Sequence, residues 1–332
     1  MAYHGSMKAV LAAIAVSLFM ATASCPASGT APDAAKGTSN AAGGVWSMLP
    51  PLPTARGEVA AAELGGRVYV LGGLGPGAAA NEEYDPVADG WRRRADIPRP
   101  VDHAAAVSLE GKLYLIGGFD GAFGPVASVW AYDPSADAWS SRANLPTPRG
   151  ALGAVAVGGR IYALGGRGVG GDVGANEVYD PAADTWTARA PLMTPRDHVA
   201  ASAVGGKIYV IGGRFGTFAR NTGVNEEYDP ERDIWTVRAS LPTPRSGIAS
   251  AVVDDMVYVF GGEGSTGTFD QNERYQPASD SWQAMPPMPT ARHGLGAAAV
   301  GKVIYVLAGG AAPGGSQSAL NEAFIVPPAA KP

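Results

Sequence analysis

The 332-residue chain contains a single cysteine, Cys25, so no internal disulfide is available to it. Charged residues are scarce, at 17%, and the net charge of −5 is mild and unclustered. No basic stripe exists, which argues against nucleic acid as a partner. Long apolar runs are also missing. The one apolar stretch, from Ala9 to Ala21, is too short for a comfortable membrane span. What is abundant is Gly (46) and Pro (27), together more than a fifth of the chain, with Tyr and Trp recurring at intervals. That composition suits many short strands joined by tight turns rather than helices. Length alone allows one to three domains.

The first 25 residues stand apart. Met7-Lys8, the apolar run and the small residues "TASC" ending at Cys25 have the layout of an export signal, with Met7 a candidate true start. Two processing sites compete: Ala21-Thr22-Ala23, and a segment ending at Cys25 that resembles a bacterial lipoprotein box, with Thr22 where that motif usually has Leu. The second would make Cys25 a lipidation site and a membrane tether; otherwise Cys25 is incidental to the signal. Residues 26–44 are rich in Ala, Gly, Ser and Thr without periodicity and read as a flexible linker. Residues 327–332 form a short tail.

From Trp46 onward the sequence repeats. Double glycines begin at Gly72, Gly117, Gly165, Gly212, Gly261 and Gly309, and tryptophans at 46, 91, 139, 186, 235 and 282 keep the same step. A fixed period of this size signals a propeller or solenoid. Each unit reads as four strands. The first is small and apolar ("VAAAEL" from Val59), and the second is "RVYVLGG" from Arg67. The third is "NEEYDP" from Asn81, and the fourth starts at Trp91. Six strands converging on one axis leave room only for small side chains, which places the Ala-rich strand innermost. The Tyr and Trp of each unit should fill the wedge between sheets.

The stretch "PTPRGALGAVAVGGRIYALGG" from Pro146, followed by "NEVYDPAADTW" from Asn176, resembles a Kelch repeat. The resemblance covers residues 45–326 and implies an all-β, six-bladed Kelch β-propeller with four antiparallel strands per blade. The last unit lacks a fourth strand, and "VWSMLPPLP" from Val45 is a fourth strand without a unit. The ring is therefore expected to close by pairing the N-terminal strand with the C-terminal three. Kelch propellers serve many functions, so the fold leaves function open.

Links from strand four to strand one and loops from strand two to strand three share one face, the mouth, where recognition is expected. Five arginines occupy one equivalent mouth position: Arg56, Arg149, Arg196, Arg245 and Arg292. In some Kelch proteins this arginine contacts acidic ligands, so the resemblance implies a cationic, ligand-binding ring. The competing reading is bracing against Glu82, Glu177, Glu226, Glu273 and Glu322 of the third strands. The second repeat favours bracing. It reads "PRPVDH" and "SVWAYDP", with Val101 replacing Arg and Trp130 replacing Glu, so both partners are lost together. Bracing still leaves the arginines' remaining donors facing the mouth. Trp130 could instead be a stacking surface.

His103 and His198 lie on the same mouth edge, after Asp102 and Asp197, with His293 one position earlier relative to its arginine and expected to point to the other side of its strand. Their separation across a channel is expected to be too wide for a metal, and no metal or cofactor is expected. Arg167, Arg214, Phe215 and Arg220 add cationic and aromatic groups from the loops, and "RFGTFARNTG" from Arg214 is the loop best suited to ligand contact.

Two functions fit these residues. The adopted one is a monomeric, exported binding module, periplasmic or held in the cell envelope. It would present its arginine-bearing mouth to a protein, peptide or glycan. The alternative resembles the periplasmic Kelch mutarotases that epimerise N-acetylneuraminate. It needs a general acid/base beside an acidic sugar, for which Glu263 and Asp120 are the candidates. A copper galactose oxidase is poorly supported, because that cofactor needs a Cys–Tyr crosslink in the catalytic domain and Cys25 lies in the signal region.

Overall fold

In the computed structural model, residues 43–328 are described; the export segment, Cys25 and nearly all of the linker lie outside the described residues. Six four-stranded antiparallel sheets form the blades of a propeller. Blade one comprises Ala60–Leu64, Arg67–Leu71, Asn81–Asp85 and Gly90–Arg93, and blades two to five repeat this order. The innermost strands contact their neighbours in a closed cycle from blade one to blade six and back.

The crowding at the axis explains the small residues of the first strands. A Cβ built on Gly296 of blade six would lie 2.5 Å from Cβ of Ala61 in blade one, so even alanine does not fit there. Second strands are buried on both faces, as the adjacent Tyr69 and Val70 show, and accordingly read as unbroken apolar runs. Between blades, the third-strand Tyr packs on the fourth-strand Trp; the Tyr84 and Trp91 rings are 5.1 Å apart. The indole N–H then donates to a main-chain carbonyl of the preceding blade, as from Trp139 to Ala95 at 2.8 Å and from Trp186 to Ala143 at 2.9 Å.

Blade six closes the ring as expected. Gly296–Val300, Val303–Leu307 and Asn321–Ile325 are completed by the N-terminal strand Val45–Met48, with Trp46 opposite Phe324. Trp46 donates to the Pro286 carbonyl at 3.0 Å, the bond that the fourth-strand Trp makes elsewhere. The mouth face is also as read. Short bridges join the four-to-one links to the two-to-three loops, among them Gly150 with Arg167, Asp197 with Arg214 and Ser246 with Glu263.

Candidate functional site

The mouth begins with the five repeated arginines. All are completely buried, and each pairs with the glutamate of its own blade: Arg56 with Glu82 at 2.7 Å, Arg149 with Glu177 at 2.5 Å, Arg196 with Glu226 at 2.7 Å, and Arg245 with Glu273 and Arg292 with Glu322 likewise. The other donors stay inside the blade. Arg196 Nε reaches the Gly212 carbonyl at 2.8 Å, Nη1 that of Thr194 at 2.8 Å and Nη2 that of Val210 at 2.7 Å. The expected cationic ring at the entrance, with donors facing a ligand, is thus not formed by Arg56, Arg149, Arg196, Arg245 and Arg292. Carbonyls and carboxylates of the blade take those donors. The main chain of the same residue holds the blade before it, since the Arg196 carbonyl accepts from Gly166 at 2.9 Å. Blade two lacks the brace altogether, with Val101 buried and Trp130 partly buried in its place.

Two residues beyond each arginine position comes a second ring: Glu58, His103, Ala151, His198, Gly247 and Gly294. All six have positive φ, between 50° and 65°. Their main chains bond in sequence around the axis. His103 N donates to Glu58 O at 3.0 Å, Ala151 to His103 at 2.8 Å and His198 to Ala151 at 2.9 Å. Gly247 donates to His198 at 3.2 Å and Gly294 to Gly247 at 2.9 Å, and Val59 N to Gly294 O at 3.3 Å completes the circle. The left-handed backbone turns these side chains toward the axis. The expectation that the histidines stand too far apart is corrected here. The His103 and His198 rings meet edge to face with centroids 5.0 Å apart, because blade three puts only Ala151 between them.

His293 occupies the level of Asp102 and Asp197, one step outside this ring, yet it reaches the same cluster. Its Nε2 lies 3.3 Å from Glu58 and 3.6 Å from Glu263, so the one-residue offset, expected to turn it to the other side of its strand, does not keep it from the cluster. Both of its ring nitrogens face carbonyls, Nδ1 toward Gly310 at 3.1 Å and Nε2 toward Gly314 at 2.7 Å, which only a protonated imidazole satisfies. Burial opposes that charge, but Glu58 and Glu263 overcome it and lift the pKa to about 9. Glu58 is the counterpart. Burial works against its charge, and His103 and His293 outweigh burial and hold the carboxyl well below its usual range.

Above this floor, between blades two, three and four, opens a cavity of about 490 Å³. His103, His198, Arg167 and Arg214 line it together with Phe119, Phe123, Pro125 and Val169, and the Phe119 ring packs edge to face on His103, 5.3 Å between centroids. Arg214 is fixed by three acceptors: Asp197 at 3.0 Å, Glu263 at 2.6 Å and Nε2 of His198 at 2.9 Å. A guanidinium has five N–H groups, so two remain. Arg167 is more open, bonding Asp172 at 3.1 Å and Asp197 at 3.5 Å. Asp172 is pushed up to about 6 by burial and by the neighbouring Asp197. His198 donates from Nδ1 to Asp197 at 2.6 Å; burial and Arg214 lower its pKa, so it is neutral. In His103, burial opposes the charge, but Glu58 and Asp102 raise its pKa.

Two donor sets come close enough to hold a metal ion: Glu58 with His103 and His198, and Glu58 with Glu263 and His293. Neither fits. Arg214 already donates to the His198 lone pair that the first would use, and His293 has no free lone pair for the second.

Of the sequence candidates, His103, His198, Arg167 and Arg214 come together in the cavity. Phe215 and Arg220 stack on each other at 5.6 Å and are not among its lining residues. Glu263 is buried, held by Arg214 and by the Gly314 N–H at 2.9 Å, and acts through them rather than on the cavity. Asp120 lies on the far side of the blade-two loop, accepting from Ala122 at 3.0 Å and Gly124 at 2.9 Å. Sequence reasoning missed Glu58 and Asp172. Alignment of "RGE" at 56–58 with "VDH" and "RDH" carried the signal for the first.

Comparison with known proteins agrees with this architecture. Residues 58–237 match the KLHDC2/KLHL20/DRC7 Kelch-repeats domain, and residues 244–289 match the Kelch motif. No curated protein matches the chain. A solved structure titled "Structure of YjhT" superposes with a TM-score of 0.71 over 83% of this chain and 96% of that one, at 18% identity, which shows likeness of fold.

Proposed function

This chain belongs to the Kelch-repeat β-propeller family, and on that footing we propose that it is a binding module whose mouth cavity takes an anionic ligand, a carboxylate borne by a peptide, protein or glycan. The observation that supports this most is the gathering of Arg167 and Arg214 with Phe119 and Phe123 around one cavity. Donors left over on two guanidiniums suit a carboxylate, and the phenyl rings suit the apolar body that carries it. The role given from sequence to five repeated arginines passes to these two. Arg167 is the cleaner one to remove, since its side chain is 41% exposed and no buried partner depends on it alone. Calorimetry with acidic sugars and acidic peptides should find a ligand that Arg167→Ala weakens roughly tenfold or more. An affinity unchanged in Arg167→Ala would remove the proposal's main support.

A second reading has one observation in its favour. His103 sits on the cavity floor with Nδ1 on Asp102 at 2.5 Å and Nε2 facing Glu58 at 3.3 Å, an arrangement able to move a proton beside a bound acidic sugar. In a sugar mutarotase, such a group would give its proton to the ring oxygen as the ring C–O bond breaks, and would take back the proton that the anomeric hydroxyl loses. NMR of N-acetylneuraminate anomer exchange, with His103→Gln as control, tests it; an uncatalysed rate with the wild type rejects it.

We further propose export and tethering through Cys25. In a bacterial host, Cys25→Ser should move the protein from the membrane fraction to the soluble exported fraction; a wild type already soluble there rejects the tether.

A further inference from the structure

The second blade holds a feature that the mouth site does not use. Where the other blades insert Arg and Glu, blade two has Val101 and Trp130, and a cavity of about 490 Å³ lies beside Trp130. Arg99, at the position of the threonine that bonds the glutamate in blade three, lines it, together with Asp120, Ser141 and Asn144. Trp130 itself is unusual. The other six tryptophans, 46, 91, 139, 186, 235 and 282, each donate the indole N–H to a carbonyl across the blade boundary. Trp130 makes no such bond among the described residues, and its ring is only partly buried.

Asp120 is held for use on this side. Its Oδ1 takes the N–H groups of Ala122 and Gly124, which fixes the carboxylate and leaves Oδ2 for another partner. Those two bonds, with Arg99 nearby, hold the carboxyl below its ordinary range. The loop that carries Asp120 therefore serves two cavities: Phe119, Phe123 and Pro125 line the mouth, while Asp120 and Val126 line the flank.

We propose that this flank cavity is a second binding site, for a pyranose unit of a neutral glycan. The argument is chemical. A pyranose has an apolar C–H face, which an indole lining the cavity matches, and a rim of hydroxyls that both donate and accept. Asp120 accepts, Arg99 donates, and Ser141 and Asn144 do both. One cation and one anion leave the lining balanced, which favours an uncharged ligand, unlike the arginine-lined mouth. The volume falls within the range of small-ligand sites, roughly 300–1,000 Å³.

Titration with maltose, cellobiose, lactose and diacetylchitobiose, followed by indole fluorescence and saturation-transfer NMR, tests the assignment. At least one should bind with its C–H face saturated by aromatic protons. Trp130→Ala should weaken it about tenfold or more. Arg99→Ala with Asn144→Ala, both on loops outside the core, should do so with an unchanged melting temperature, which keeps the test valid if Trp130→Ala folds poorly. No binding of any of these sugars up to about 10 mM, roughly the weakest affinity such a titration resolves, would overturn the proposal. So would binding that persists in the loop double variant, or preference for the neutral tripeptide Ala-Leu-Ala over every sugar.

Discussion

Arg196 shows how a residue that looks like a ligand contact becomes an internal strut. Removing it leaves Glu226 buried with its main partner gone. Arg196→Ala should therefore lower stability by about 3 kcal/mol. Arg196→Val combined with Glu226→Trp copies blade two and should recover part of that loss. A double-mutant cycle by chemical denaturation reads the coupling; a value near zero would mean that the pair is incidental to folding. His293 gives a second prediction, in pH. Its folded pKa of about 9 stands above the ordinary value near 6.5. Below pH 6.5 its contribution is complete. Between about 6.5 and 9 the unfolded chain gives up the proton that the folded chain keeps, so stability falls as pH rises. The melting-temperature advantage of wild type over His293→Gln should shrink across that window. His103, raised by the same Glu58, retains part of the slope in the variant. Parallel pH curves would show that His293 is not charged in the fold.

Among the elements, the double glycine is explained by the following blade rather than by its own. Gly117 has φ of +61°, and a Cβ there would lie 2.4 Å from the Arg149 carbonyl. Gly158, in a turn on the opposite face, has nearly the same φ of +59° but open space around it. Gly158→Ala should cost only the left-handed strain, about 1 kcal/mol, and Gly117→Ala clearly more, because a backbone atom must also move. Equal losses, measured by thermal unfolding, would mean that the interblade contact yields freely. The strands were legible in the sequence for a related reason. Each repeat writes its own inner, buried and outer strands in residue size and apolarity, and six copies remove ambiguity. The mouth was less legible. His103 and His198 belong to three-residue signals, "VDH" and "RDH", in different blades, and only the closed ring brings them together. The spacing that separates His103 from His198 in the chain says nothing of an alanine small enough to let them touch.

For the molecule as a whole, closure rests on Val45–Met48. Deleting residues 1–44 should leave the melting temperature of the propeller unchanged. Deleting through residue 53 removes the strand paired with Asn321–Ile325 and the bond from Trp46 to Pro286, and exposes a sheet edge. That second deletion should unfold at a clearly lower temperature or aggregate; identical melting would mean that blade six is complete without its N-terminal strand.

The six main chains linked through Glu58, His103, Ala151, His198, Gly247 and Gly294 act together as a hoop around the axis. A hoop resists spreading at every point as long as it is unbroken, so no blade can tilt outward alone. A ligand settling beside His103 and His198 thus meets a frame that does not give way, and any accommodation falls to the loops above it. Change of ligand preference over evolution is then a matter of altering those loops, while the hoop, once opened anywhere, releases all six blades at once.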